Sequence, residues 1–226
     1  MNHPDNNFPV PAIHCPHFII QSLGMCDYQS TWQAMKSFTD GRTMETQDQI
    51  WLLQHPPVFT QGIAGKPEHL LNDHGIPLIK TDRGGQITYH GPGQMIAYLL
   101  LDIRRLKLTV RELVRSMENA VIDVLKTYHI PATARTEAPG VYVDDAKIAA
   151  LGLKIRKNYC YHGIALNVDM DLTPFSYINP CGYKGLRVTQ IKDLSVNFTL
   201  ERVAFQLADQ LQEKLLKGSY NHHHDN

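Results

Sequence analysis

Residues 110–128 constrain this chain more than any other stretch. Val110, Leu113, Val114, Met117, Val121, Val124, Leu125 and Tyr128 recur at three- and four-residue steps and form one stripe of an α-helix. Thr109 and Glu112 make a capping-box pattern at its start, and Pro131 stands just past its end. A helix that is apolar along one stripe must bury that stripe against a second layer. Residues 95–102 (M-I-A-Y-L-L-L-D) offer one: an apolar run of strand length, central in a sheet.

The other segments fill in both kinds of layer. Trp32, Met35 and Phe38 fall at three-residue steps within residues 27–39, one face of a helix. Residues 49–53 (Q-I-W-L-L) read as a short buried strand, which His55-Pro56-Pro57 ends because proline lacks the ladder N–H. Residues 58–65 read as strand and turn, and residues 78–81 as a strand. Residues 140–168 read as three antiparallel strands: 141–143, 147–155 and 159–168, with turns at Asp144-Asp145 and Arg156-Lys157-Asn158. On strict alternation, Lys147, Ala149 and Leu151 share one face of the middle strand and Ile148 and Ala150 the other. A long loop follows over residues 169–186. The last helix starts near Thr199, its buried row being Val203, Leu207, Leu211 and Leu215. The expected class is α+β, a mixed and largely antiparallel sheet flanked by helices. The expected organisation is a loose leader over 1–16, a single domain over 17–217 ending in the helix at about 199–217, and a disordered tail over 218–226.

Lys plus Arg and Asp plus Glu number 22 each, so no global field favours nucleic acid or an anionic membrane. No apolar run approaches the roughly 20 residues of a membrane helix, and residues 1–16 carry no apolar signal core. A cytoplasmic location is the default expectation. The four cysteines, Cys15, Cys26, Cys160 and Cys181, show no C-x-x-C pair and no zinc spacing, so no metal is expected and they read as free thiols.

Two residues and two segments offer chemistry. Cys181 lies in a loop, between Pro180 and Gly182, rather than in an apolar strand or helix; this suits an exposed thiol with backbone N–H groups nearby, or a loop cysteine without a role. Lys147 precedes four uncharged residues, as a lysine pointing into a cleft or as a solvated strand-end side chain. An ammonium beside a cysteine favours the thiolate. Residues 83–94 (R-G-G-Q-I-T-Y-H-G-P-G-Q) hold four glycines and match neither phosphate-loop pattern, which leaves a hairpin turn or a ligand wall. Within them His90 is a base, a hydrogen-bond donor or a structural residue. Gly163, in the strand H-G-I-A-L-N over residues 162–167, marks a bulge or a close approach.

Together, residues 83–94, 140–153, 162–167 and 179–182 resemble the lipoyl(octanoyl) transferase family in motif, order and separation, over roughly residues 20–210 and with no departure at the motif positions. The resemblance implies the fold of biotin and lipoate protein ligases. It implies that Cys181 is an acyl-accepting nucleophile and Lys147 the residue that lowers its pKa. It also implies that Arg83, Gly84, Gly85, Gln86, Ile87, Thr88, Tyr89 and His90, with Ala150, Leu151, Gly152, Gly163, Ile164 and Ala165, hold the acyl chain. The implied donor is octanoyl-acyl carrier protein. The implied acceptors are lipoyl domains of 2-oxoacid dehydrogenases and the glycine cleavage H protein. Because the donor thioester is already activated, neither ATP nor another cofactor is expected. The rival on the same fold is an ATP-dependent lipoate or biotin protein ligase, which needs no cysteine nucleophile.

Overall fold

The computed structural model describes residues 13–14, 17–179 and 185–220. In chain order the elements are β1 (Ile13–His14), β2 (Phe18–Met25), α1 (Tyr28–Asp40), β3 (Asp48–Gln54), β4 (Val58–Gln61), β5 (Leu78–Lys80), β6 (Ile87–His90) and β7 (Gln94–Asp102). They continue with α2 (Val110–Thr127), β8 (Thr133–Ala134), β9 (Val141–Val143), β10 (Ala146–Arg156), β11 (Tyr159–Asn167) and α3 (Leu200–Tyr220).

Strand β7 is the axis of the molecule. It lacks alternation because both of its faces are covered. Met95, Ala97, Leu99 and Leu101 pack on the side of α2 and α3. Ile96, Tyr98 and Leu100 pack with Met35 of α1 and with Trp51 and Leu53 of β3. The eight-stranded sheet runs β1-β2-β3-β7-β11-β10-β9-β8 and is antiparallel except at β2–β3. A three-stranded sheet, β5-β4-β6, stands beside it. The mixed, largely antiparallel sheet with flanking helices is thus the expected class. The capping box of α2 is formed, with the Glu112 N–H donating to Thr109 Oγ1 at 3.2 Å and the Thr109 N–H donating to Glu112 Oε2 at 2.7 Å. Among the described residues no helix is long and apolar enough to cross a membrane.

The structure departs from the sequence reading in four places. Strand β2 is unmarked by alternation, because its pairing with β3 shifts register between Ser22 and Gly24. Strand β6 hides inside the glycine-rich segment, where its four residues are too few to show a period. Helix α3 runs on to Tyr220, into the expected tail, because its last turns meet no proline and are braced by an ion pair of Lys217 with Glu213 four residues earlier. Residues 221–226 lie outside the described residues, as do residues 1–12. The fourth departure concerns β10: a bulge between Lys147 and Ala149 breaks the alternation. Ala149 therefore joins the core under α2, and Lys147 shares its side of the strand with Ala150 and Gly152 instead.

Candidate active site

A cleft opens where the two sheets meet. β6 lends it Ile87, Thr88 and His90, and the loop before it Arg83, Gly85 and Gln86. β7 lends Gln94, Ile96 and Tyr98, β10 lends Lys147, Ala150, Leu151 and Gly152, and β11 lends His162, Gly163, Ile164, Ala165 and Asn167. Tyr28, Pro139, Phe175 and Val188 close the ring around a space of about 800 Å³, part of it open to solvent. Its lining combines aliphatic and aromatic side chains with polar ones, the general character of a small-molecule site.

Twelve of the fourteen wall residues that the resemblance implies line this one cleft, together with Lys147. Two stand apart. Tyr89 is buried outside the lining, its ring packed between Phe59 and Phe175. Gly84 acts through its backbone, its N–H donating to the Leu153 carbonyl at 2.9 Å and pinning the glycine-rich loop to β10. Arg83 does not extend into the space as a bare charge. Its guanidinium donates to the carbonyls of Thr60, Gly84 and Gln86 and to Thr60 Oγ1, at 2.7–2.9 Å, which shapes the loop around it. Gly163 is required where it stands: a Cβ there would lie 2.0 Å from the Ala97 carbonyl oxygen of β7.

Cys181 lies outside the described residues. The chain is followed to Asn179, whose N–H donates to the His69 carbonyl at 2.8 Å, and again from Gly185. From there it runs directly to Lys147: the Lys147 N–H donates to the Arg187 carbonyl at 2.8 Å, and the Thr189 N–H to the Lys147 carbonyl at 3.0 Å. The Lys147 side chain is buried to 5% exposure, with Nζ donating to the Pro139 carbonyl at 3.3 Å and lying 5.1 Å from the Tyr142 ring centre. The two cysteines among the described residues, Cys26 and Cys160, are poor nucleophiles. Burial pushes the Cys160 thiol up to about 12, and burial also raises Cys26.

His90, Gln94 and Asn167 stand in the motif segments, but the hydrogen bonds that join them to one another and to other segments carry no sequence signal. His90 Nδ1 donates to Gln94 Oε1 at 2.8 Å, Gln94 Nε2 donates to Asn167 Oδ1 at 2.9 Å, and Asn167 Nδ2 donates to the Thr189 carbonyl at 3.0 Å. Since Arg83 donates to Thr60 Oγ1, the Thr60 hydroxyl is left to donate to His90 Nε2, 3.2 Å away. Both ring nitrogens of His90 are therefore engaged, and burial, aided by His55, holds its pKa well below the usual histidine range. A histidine so held is an orienting group, not a ready base. His55 donates from Nδ1 to the Cys26 carbonyl and accepts at Nε2 from the Tyr98 hydroxyl, each at 2.7 Å; burial lowers it to about 4. His162, at a left-handed φ of 65°, donates to Asp82 Oδ1 at 3.1 Å. Asp82 also accepts from Trp32 and Tyr161. Against burial, these three hydrogen bonds hold its carboxyl well below the usual range. Single histidines and tyrosines in strands carry no signal of such a cluster; only the positive φ at His162, invisible in sequence, sets it apart.

Burial that keeps histidines neutral makes the fold sensitive to acid. An imidazole whose folded pKa lies below its unfolded value of about 6.5 destabilises the protein as pH falls from there toward the folded value. For His55, with its folded value at about 4, the loss between pH 7 and pH 5 is about 2 kcal/mol. Urea unfolding at the two pH values is expected to show at least that loss, and His55→Gln to reduce it. A pH-independent midpoint over that span would contradict the neutral cluster.

The chain matches the lipoyl protein ligase A/B catalytic domain over residues 27–212. It is 63% identical over 196 residues to an octanoyltransferase of Nitrosomonas europaea, covering 87% of this chain and 96% of that one. The chain belongs to the octanoyltransferase family. An octanoyltransferase of Chromobacterium violaceum is 59% identical over 197 residues, covering 87% of this chain and 95% of the relative. The family is one of acyltransferases, so the resemblance and the enzyme class read from the motifs both stand. The fold is shared more widely. A bi-partite lipoate protein ligase from Thermoplasma acidophilum superposes with a TM-score of 0.69 at 16% identity, covering 87% of this chain and 82% of that one. A biotin protein ligase from Aquifex aeolicus gives 0.53 at 13%, covering 88% and 70%.

Proposed function

We propose that this octanoyltransferase-family chain moves an octanoyl group from acyl carrier protein to a lysine of a lipoyl domain, through a thioester on Cys181. Residues 17–217 act in this reading as one catalytic unit. The observation that carries it is the buried Lys147 in the lining of the cleft, on a strand hydrogen-bonded to the chain that follows Cys181.

Eight carbons buried at about 0.8 kcal/mol per methylene supply several kcal/mol of binding. The Lys147 ammonium favours the thiolate of Cys181, which attacks the donor carbonyl. The carbon–sulfur bond to the carrier's phosphopantetheine breaks, and the departing thiolate takes a proton from Lys147. The acyl-enzyme is thus left beside a neutral Lys147 amine. The acceptor lysine attacks the new thioester, its proton passes to Lys147, and Cys181 leaves as the thiolate. Atoms and charge return to the starting state. Because the donor is a thioester, no ATP is consumed. His90 is set aside as the second-step base, since the Thr60 hydroxyl occupies its lone pair and its pKa is depressed. The ligase reading is disfavoured by identities of 59–63% to octanoyltransferases against 16% to the lipoate ligase that shares the fold.

The deciding experiment is intact-protein mass after mixing with octanoyl-acyl carrier protein in the absence of ATP. A gain of one octanoyl group, mapped to Cys181 and discharged by a lipoyl domain, is expected. No gain with a carrier confirmed to be acylated, together with acceptor labelling by free octanoate and ATP, would establish a ligase instead.

A further inference from the structure

The peptide group between Pro139 and Gly140 is held from both sides. Its N–H donates to Oε1 of Glu118, on α2, at 3.0 Å. Its carbonyl accepts from Nζ of Lys147 at 3.3 Å. One peptide therefore bridges a carboxylate and an ammonium, with its N–H toward the anion and its oxygen toward the cation. Hydrogen bonds in such a chain polarise and strengthen one another. Gly140 makes the arrangement possible. Its φ is +145°, and a Cβ would stand 3.0 Å from Lys147 Cε and 3.2 Å from Nζ. The lysine lies directly against the backbone that Glu118 holds.

Glu118 is an unusual residue for its place. It is 8% exposed, on a helix whose other buried side chains include Leu113, Met117 and Val121. A carboxylate is retained at such a site only when it is hydrogen-bonded or paired. Its charged neighbours are Arg115 on its own helix and Lys147 on β10. Burial pushes its carboxyl up, and the Gly140 N–H, Arg115 and Lys147 draw it back.

We propose that Glu118 is a positioning residue for Lys147, fixing the ammonium in the wall of the cleft through the Pro139–Gly140 peptide and holding it there as a cation. The proposal rests on the role given to Lys147 above. It adds a residue from the helix layer, remote from the acyl chain, whose effect reaches the reaction through one peptide group.

The test compares the full chain with its Glu118→Gln, Glu118→Ala and Lys147→Met variants. The readouts are the pH profile of kcat and KM for octanoyl transfer and the pH dependence of Cys181 alkylation, with circular dichroism to show folding. Glu118→Gln keeps the acceptor oxygen and removes the charge. The alkaline limb of kcat is expected to move down by about half a pH unit or more, because a lysine without its anion loses its proton more readily. Glu118→Ala also frees the peptide, and kcat is expected to fall about ten-fold with KM changed less than about two-fold. If Glu118→Ala does not fold, the profile of Glu118→Gln decides alone. Wild-type kcat and pH profiles in the folded Glu118 variants, with Lys147→Met impaired, would overturn the assignment of Glu118 and leave that of Lys147 standing. An unimpaired Lys147→Met with an unmoved alkylation curve would overturn the reading of Lys147, and Glu118 with it.

Discussion

Cys181→Ala is expected to gain no octanoyl mass from the carrier protein and to lose octanoyl transfer by about 10³-fold or more. The size of the loss follows from the chemistry removed. Without the thiolate, the acceptor lysine must attack the carrier thioester directly, and both proteins must occupy the cleft mouth together. What remains is the contribution of binding and orientation, which in covalent enzymes survives the loss of the nucleophile. Cys26→Ala serves as the matched control, since burial raises that thiol and disfavours it as a nucleophile. Turnover near the wild-type rate in Cys181→Ala would falsify the nucleophile assignment, whereas equal loss in Cys26→Ala would point to a general sensitivity of the fold.

The second large effect is expected at Lys147. A cysteine with its ordinary pKa of about 8.5 is only a few per cent ionised at neutral pH, and a nearby ammonium raises that fraction by roughly ten-fold or more. The same group passes protons in both half-reactions, a contribution typically of about 10²-fold or more. Lys147→Ala is therefore expected to lower transfer by about 10²–10³-fold. It should also move the midpoint of Cys181 alkylation upward, toward the value of a free thiol. The direction is set by charge: losing a cation destabilises the thiolate. Lys147→Met keeps most of the buried stem, so a loss shared by both variants reports the ammonium rather than a cavity. An alkylation curve that coincides with the wild type would remove Lys147 from this role.

The parts of the molecule that were legible in advance are those whose signal is local. The stripe of α2, its capping box and the apolar run of β7 each declare themselves within about twenty residues, because helical and strand periods are short. The turns at Asp144 and at Lys157 and Asn158, where the backbone takes positive φ, announced the β9–β10–β11 meander. Lys147 stood out as a lysine ahead of four uncharged residues, with a solvated strand end as the other reading. Ala150 and Gly152 came only through the family resemblance and not from alternation, because the bulge after Lys147 exchanges Ala149 for them, and a bulge leaves no mark on alternation until its partner strand is known. The hydrogen-bonded cluster beside the cleft was hidden more completely. Tyr28, His55, Asp82, Tyr98 and His162 lie on five segments, and each is unremarkable where it stands.

The layers, most of the strands and helices, and the family were readable from the residues in order, since burial periodicity and motif order are properties of the chain taken a few residues at a time. Which residues of β10 meet the cleft, and that Tyr89 stands outside its lining, emerge only in the folded molecule. So do the engagement of both nitrogens of His90 and the one peptide that links Glu118 to Lys147. These depend on the pairing of strands far apart in the chain, and on hydrogen bonds whose two ends meet only when the sheet has closed around them.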